Sequence, residues 1–239
     1  MKLLTVSNPK LMKGDKLSDE YLSAIKHLSP INTRICPYQD IANCKVACLN
    51  TAGRGGIFKK GETTNVIQEA RKRKTKLFLE DRDTFMELLV KDIQAFIRKC
   101  DRLGKKPCIR LNGTSDIQWE TITVGEYENI FAMFSDVQFY DYTKIPTRKV
   151  SHIKNYHLTW SYSEANDKYA KMFDKVPNNK AVVFKNKILP SMFKGLKVID
   201  GDTHDMRFLD EPNSVVGLKA KGKARQDTSG FVINVIQLA

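Results

Sequence analysis

From residue 108 to the end of the chain, short segments of β-forming composition recur: CIRLNG (108–113), VQFYDYT (137–143), YHLTWSYS (156–163), KAVVFK (180–185), KVIDGD (197–202), VVGLKAK (215–221) and FVINVI (231–236). The early ones are 15 to 30 residues apart and separated by polar or helix-compatible stretches. That spacing is the pattern of βα units feeding a parallel sheet. Later connections shorten, so the end of the sheet reads as irregular or antiparallel. The expected architecture is one α/β domain over residues 1–239, with a mostly parallel sheet forming a complete or partial (β/α) barrel. One more strand is expected over Ile31–Ile35.

Upstream the period changes. Thr64 to Phe78 is helix-compatible and strongly basic (RKRKTK), and a second helix is expected to begin at an Asp81 cap and stop at Gly104. Within it Leu89, Ile93, Phe96, Cys100 and Leu103 recur at steps of four and three, the stripe of a helix packed on a core. No low-complexity tract, repeat or Gly/Ser/Pro-rich linker divides the chain, and 41% apolar residues suffice for a core without disulfides. Apolar runs are only a few residues long and the first residues show no signal-peptide pattern, so no membrane partner is expected and the cytoplasm is the expected location. The net charge of +13 favours a polyanion such as nucleic acid, or an anionic small molecule. Oligomeric state is not legible here.

Five cysteines are an odd number, and three fall within thirteen residues. RICPYQDIANCKVACLNTAGRGG sets Cys36, Cys44 and Cys48 in a loop, 36–56, that ends in a Gly-rich turn. Three thiolates in one loop leave one iron of a [4Fe–4S] cluster open to substrate, cofactor or a non-Cys ligand. Zinc is the competing metal, because Cys44-x3-Cys48 is an acceptable half-site. Cys100 belongs to the helix stripe. Cys108 sits four residues before Asn112, roughly 13 Å lower along a strand, so neither suits the fourth position. Gly53, Gly55 and Gly56 offer backbone N–H groups to cluster sulfides or a phosphate, and GRGG also suits an ordinary loop.

Polar residues gather at the C-terminal ends of the expected strands, the edge where parallel α/β sheets assemble sites. Arg110, Asn112, Lys144, Ser161 and Asp202 are the candidates for positioning a substrate. GDTHDMRFLD adds Asp200, His204, Asp205 and Arg207, as an acid/base or metal-binding group or as a solvated turn with an internal Asp–Arg pair. KAKGKAR puts Lys219, Lys221, Lys223 and Arg225 at alternate positions, so an extended segment would show all four on one face. Such a row could follow a phosphate backbone or guard an edge strand. No acyl-transfer order, Walker motif or dinucleotide fingerprint occurs.

Across CPYQDIANCKVACLNTAGRG, ARKRKTKLFLEDRDTFMELLVKDI, RLNGTSDIQWE, VQFYDYTK, NYHLTWSYSEAN, VIDGDTHDMRFLD and VVGLKAKGKARQDTSGFV the chain resembles the bacteriophage gene product eighty-eight family. The resemblance covers most of the chain. It implies a phage or prophage origin, hence the cytoplasm of an infected or lysogenic bacterium, and carries no reaction with it. In layout the chain is also similar to radical S-adenosylmethionine enzymes, where a cysteine loop after the first strand of a parallel barrel holds a [4Fe–4S] cluster. Cys44-x3-Cys48 matches the first half of their signature, but Thr51 stands three residues beyond Cys48 and the third cysteine lies upstream at Cys36. S-adenosylmethionine is thus a cofactor that the layout admits and this departure opposes. Two functions are expected: a phage iron–sulfur protein with an open coordination position for radical or redox chemistry, or a nucleic-acid-binding protein in which a cluster or zinc organises the loop.

Overall fold

The computed structural model describes residues 1–6 and 9–235. Its strands are β1 (Leu4–Thr5), β2 (Tyr21–Lys26), β3 (Lys106–Arg110), β4 (Gln138–Thr143), β5 (Tyr156–Ser161), β6 (Lys180–Phe184), β7 (Met192–Phe193), β8 (Leu196–Asp200), β9 (Val215–Lys219) and β10 (Val232–Ile233). The helices are α1 (Pro9–Leu17), α2 (Val66–Glu80), α3 (Arg82–Arg102), α4 (Ile130–Met133) and α5 (Asp167–Ala170). Ile236, the last residue of the expected FVINVI strand, lies outside the described residues.

All ten strands join one sheet in the order β1-β2-β3-β4-β5-β6-β9-β8-β7, with β10 on β6. From β2 to β8 every neighbouring pair along that path is parallel. The result is one α/β domain with a mostly parallel sheet. Complete closure into a barrel does not occur. It would need β2 and β8 to pair, and their outer edges are taken by the antiparallel strands β1 and β7.

β6 explains where the sheet opens. β9 follows it over Lys180–Phe184, but β5 pairs only with Lys180 and Ala181 before diverging, and β10 takes up the vacated edge at Val183 and Phe184. Val232 and Ile233 thereby pair with the C-terminal half of β6, beyond the point where β5 leaves it.

One face of the sheet carries Ala24, Ile109, Phe139 and Leu158 and packs on Phe78 of α2 and Phe85, Leu89, Ile93, Phe96 and Cys100 of α3. The expected stripe of α3 is therefore its core face, except Leu103, which caps the helix and is exposed. Asp81 caps the start by accepting from the Thr84 N–H at 3.1 Å, and Gly104, at φ +61°, ends it. The opposite face of β3 to β5 carries Cys108, Tyr140 and His157, and is covered by the segment around Met206 and Phe208.

The strand expected over Ile31–Ile35 is absent. Asn32 turns the chain there, its carbonyl accepting from Ile35 and Cys36 and its side chain from the Arg34 N–H. The strand that leads into the cysteine loop is β2, ten residues earlier than the expected start. Among the described residues no helix is long and apolar enough to cross a membrane.

A candidate cluster-binding cavity at the C-terminal edge of the sheet

Because β3, β4, β5, β6 and β9 run parallel, their C-terminal ends share one edge, and the chain after β2 folds over it. A cavity of about 240 Å³ lies between. Cys36, Cys44 and Cys48 line it together with Arg110, Asn112, Lys144, Ser161 and Asp202. Lys219 and Lys221 also reach it, whereas Gly53, Gly55, Gly56, Lys223 and Arg225 do not line it.

The cysteine loop is held at three places. The Asp116 N–H donates to the Ile35 carbonyl at 2.8 Å. Ser163 Oγ, just beyond β5, donates to the Ala42 carbonyl at 2.8 Å. On α2, Gln68 and Arg71 grip Asn50: Asn50 Nδ2 donates to Gln68 Oε1 at 2.9 Å and Arg71 Nη1 to the Asn50 carbonyl at 2.8 Å. Part of RKRKTK is thus turned inward, while Lys72, Arg73 and Lys76 stay exposed.

Burial pushes all three thiols above their ordinary pKa, so they are neutral at pH 7. Cys48 Sγ accepts from the Asn50 N–H at 3.4 Å, and Cys44 Sγ donates to the Gln39 carbonyl at 3.8 Å. Among the described residues no group of three or more His, Cys, Asp or Glu side chains is arranged to hold a metal ion, these thiols included.

The polar wall divides into spent and available groups. Asn112 is spent. Its N–H donates to Asp141 Oδ1 at 2.6 Å and its amide to the Ile117 carbonyl, while Oδ1 accepts from Ser115, Ile117 and Trp119. Asp116 ties the wall together, accepting from Thr143 Oγ1 at 2.8 Å, the Lys144 N–H at 2.7 Å and Arg148. Lys144 Nζ reaches Ser161 Oγ at 2.8 Å and lies 4.3 Å from the Phe231 ring centre. Burial lowers its pKa to about 8 against the opposing pull of Cys44 and Asp116. Arg110 donates to Asp205 at 2.9 Å and stacks on Tyr142, leaving Nε without a partner.

GDTHDMRFLD covers the inner face of the sheet. Arg207 is fully buried, 3.1 Å from Asp210 and bonded to the His204 carbonyl. Asp202 accepts from Lys221 Nζ at 2.6 Å and from the Lys219 N–H at 3.2 Å. The extended row of four cations stops there: Gly222, at φ +55°, turns the chain into the 3-10 helix Gly222–Gln226, which leaves Lys223 and Arg225 exposed.

The glycine turn is a packing device. A Cβ on Gly56 would run into the Thr51 carbonyl, and one on Gly55 would come within 2.9 Å of the Asn50 carbonyl. Gly56→Ala is therefore expected to spring the loop from α2, lowering stability by about 1–3 kcal/mol. Thermal unfolding and protease sensitivity confined to residues 36–56 check this, and an unaltered digestion pattern would contradict it.

Sequence reasoning did not select Tyr38, Gln39 or Phe231, which also line the cavity. Phe231 had no local signal, since the return of β10 to β6 brings it there. A family model described as Gene product 88 matches residues 2–235. The chain belongs to the Gene product 88 family. No curated protein and no solved structure matches it.

Proposed function

We propose that this phage-family protein holds a [4Fe–4S] cluster through Cys36, Cys44 and Cys48, with the remaining iron open to the cavity. The observation that carries the reading is that three thiols of one loop and five polar strand-end residues line the same cavity. The donor chemistry fits a cluster better than zinc. A single zinc, at about 2.3 Å from each sulfur, needs its thiolates on one point. A cubane spreads three ligands over three irons, so its thiolates need to share a cavity, as Cys36, Cys44 and Cys48 do, rather than meet at one ion. The Asn50 N–H on Cys48 Sγ is the kind of donor that stabilises a ligating thiolate.

A bound cluster supplies an open Lewis-acidic iron and one-electron chemistry. The chain's own contribution is to hold a ligand there. Lys144, fixed on Ser161, and the spare Arg110 Nε present positive charge and a donor to an anionic group, and Tyr38, Tyr142 and Phe231 exclude water. A cysteine loop that follows the first parallel strand of an open, mostly parallel sheet supports radical or redox chemistry.

Anaerobic purification followed by iron, sulfide and zinc analysis is the test. Brown protein with iron and acid-labile sulfide in near-equal amounts is expected, and colourless protein with stoichiometric zinc rejects the cluster. Adding S-adenosylmethionine and following the electron paramagnetic resonance spectrum probes the open iron, with no change expected because Thr51 replaces the third signature cysteine.

A further inference from the structure

Two neighbouring donors in the cavity wall have no partner within the chain. Arg110, 7% exposed, spends Nη1 on Asp205 at 2.9 Å and leaves Nε unbonded. The Tyr142 hydroxyl is likewise buried and unbonded, and the Arg110 guanidinium lies 4.4 Å from the centre of its ring. Both residues line the cavity beside Lys144 and Ser161. Buried donors are ordinarily satisfied, so two unpaired ones in one wall mark a place for an acceptor from outside the chain.

Charge decides what that acceptor is. Three of the four cations lining the cavity already face an acid: Arg110 Nη1 on Asp205 at 2.9 Å, Lys221 Nζ on Asp202 at 2.6 Å, and Lys219 Nζ 3.7 Å from Asp200. Lys144 does not. Its Nζ meets Ser161 Oγ at 2.8 Å and the Ser161 carbonyl at 3.0 Å, both neutral, and among the described residues it makes no ion pair. Asp116, which acts on it from further away, is engaged by Arg148 at 3.3 Å and by Thr143 Oγ1 at 2.8 Å. One enclosed cation without a contact partner calls for one negative charge. A water would serve the donors but not the cation, whereas a carboxylate, a monoanion with two acceptor oxygens, serves all three groups. A phosphate dianion brings one charge more than this wall offers.

The other side of the cavity is hydrocarbon. Ala47 of the cysteine loop, Val183 of β6, Ala224 and Phe231 pack as one cluster, and all four line the cavity together with Leu218. Its volume, about 240 Å³, is that of roughly eight waters at about 30 Å³ each, below the roughly 300–1,000 Å³ of sites for drug-sized ligands. Leu49 and Lys221, both exposed, also line it, so it opens to solvent.

We propose that the cavity binds a small carboxylic acid with a compact hydrocarbon body, the carboxylate meeting Arg110 Nε, the Tyr142 hydroxyl and Lys144 Nζ, and the body lying against Ala47, Ala224 and Phe231. The proposal rests on the reading of this cavity as the ligand site and not on a metal at the thiols.

The probes are 3-phenylpropanoate and hexanoate, titrated calorimetrically into the full-length protein at pH 7. At least one is expected to bind. Its primary amide, which keeps the body and loses the charge, and acetate, which keeps the charge and loses the body, should each bind at least about tenfold more weakly. Phenyl phosphate should also bind more weakly than the acid. Tyr142→Phe and Lys144→Gln should each weaken the acid about tenfold or more. Lys185→Gln, exposed and outside the cavity, should leave it unchanged. Tyr142→Phe removes only a hydroxyl without a partner, so it decides the matter even if Lys144→Gln unfolds. Failure of both acids to bind overturns the proposal, as does an amide that binds equally, a tighter phenyl phosphate, or acid binding that Tyr142→Phe leaves intact. Iron and sulfide in the same preparation are read separately. Acid binding by metal-free protein upholds the proposal and refutes the cluster, and cluster-bearing protein that binds neither acid does the reverse.

Discussion

Single replacement of Cys36, Cys44 or Cys48 by Ser is expected to reduce iron and sulfide from near-stoichiometric amounts to background, whereas Cys100→Ser and Cys108→Ser keep both. The three loop thiols line the cavity and have no substitute, because a serine hydroxyl does not ionise at neutral pH to replace a thiolate. Cys100 is fully buried in the stripe of α3 against the sheet. Cys108 is fully buried with Tyr140 and Met206 on the inner face and donates to Ser23 Oγ at 3.5 Å, outside the cavity lining. Cys100→Ser buries a hydroxyl among apolar groups and should cost about 1–3 kcal/mol in stability, and Cys108→Ser should cost less because Ser23 Oγ is at hand as a partner; neither touches the metal. Iron, sulfide and visible absorption of the five variants, compared at equal folded fraction, measure this. Loss of the cluster in the Cys108 variant would reassign the ligands.

Arg148→Ala is expected to lower stability by about 3–5 kcal/mol. Arg148 sits between two carboxylates, 3.3 Å from Asp116 and 2.6 Å from Glu120, with its side chain 1% exposed. It also donates to the Ile117 carbonyl at 3.1 Å and to the Tyr156 hydroxyl at 2.8 Å. Removing it leaves two enclosed carboxylates without their cation. Burial raises the Asp116 pKa and Arg148 opposes the rise, so the variant's Asp116 is raised further. A folded-state pKa above the unfolded value gives stability that is present at low pH and lost as pH rises through the folded pKa. The deficit of Arg148→Ala should therefore be larger at pH 7.5 than at pH 5. Urea unfolding at both values checks it, and equal deficits would show that Asp116 does not carry the effect. Arg148→Lys should rescue little, since one ammonium cannot span both carboxylates as the guanidinium does.

Both expectations depend on parts of the chain that differ in how readily they are read. The strands β3 to β6, β8 and β9 and the helices α2 and α3 are visible in alternation, periodicity and caps, because those signals arise between residues one to four positions apart. β2 is not. YLSAIK has few β-branched residues, and its strand character comes from pairing with β3, about eighty-five positions later. Closure of the sheet was equally illegible, since it turns on two-residue strands that occupy the outer edges of β2 and β8.

For the candidate site, sequence alone determined which residue types were present and which strand ends would carry them. It placed Arg110, Asn112, Lys144, Ser161 and Asp202 near one edge, because a parallel sheet puts all its C-terminal ends on the same side. Only the tertiary structure decided what each is able to do. Asn112 has its N–H and both side-chain polar atoms engaged by neighbours within the fold, Arg110 keeps one donor, and the KAKGKAR row breaks at Gly222. The contacts that decide these roles join distant positions, such as Ser163 to Ala42 across 121 residues and Arg110 to Asp205 across 95. A side chain's hydrogen-bonding capacity is a property of its type, but whether that capacity is already used depends on which remote group the folded chain brings within about 3 Å of it.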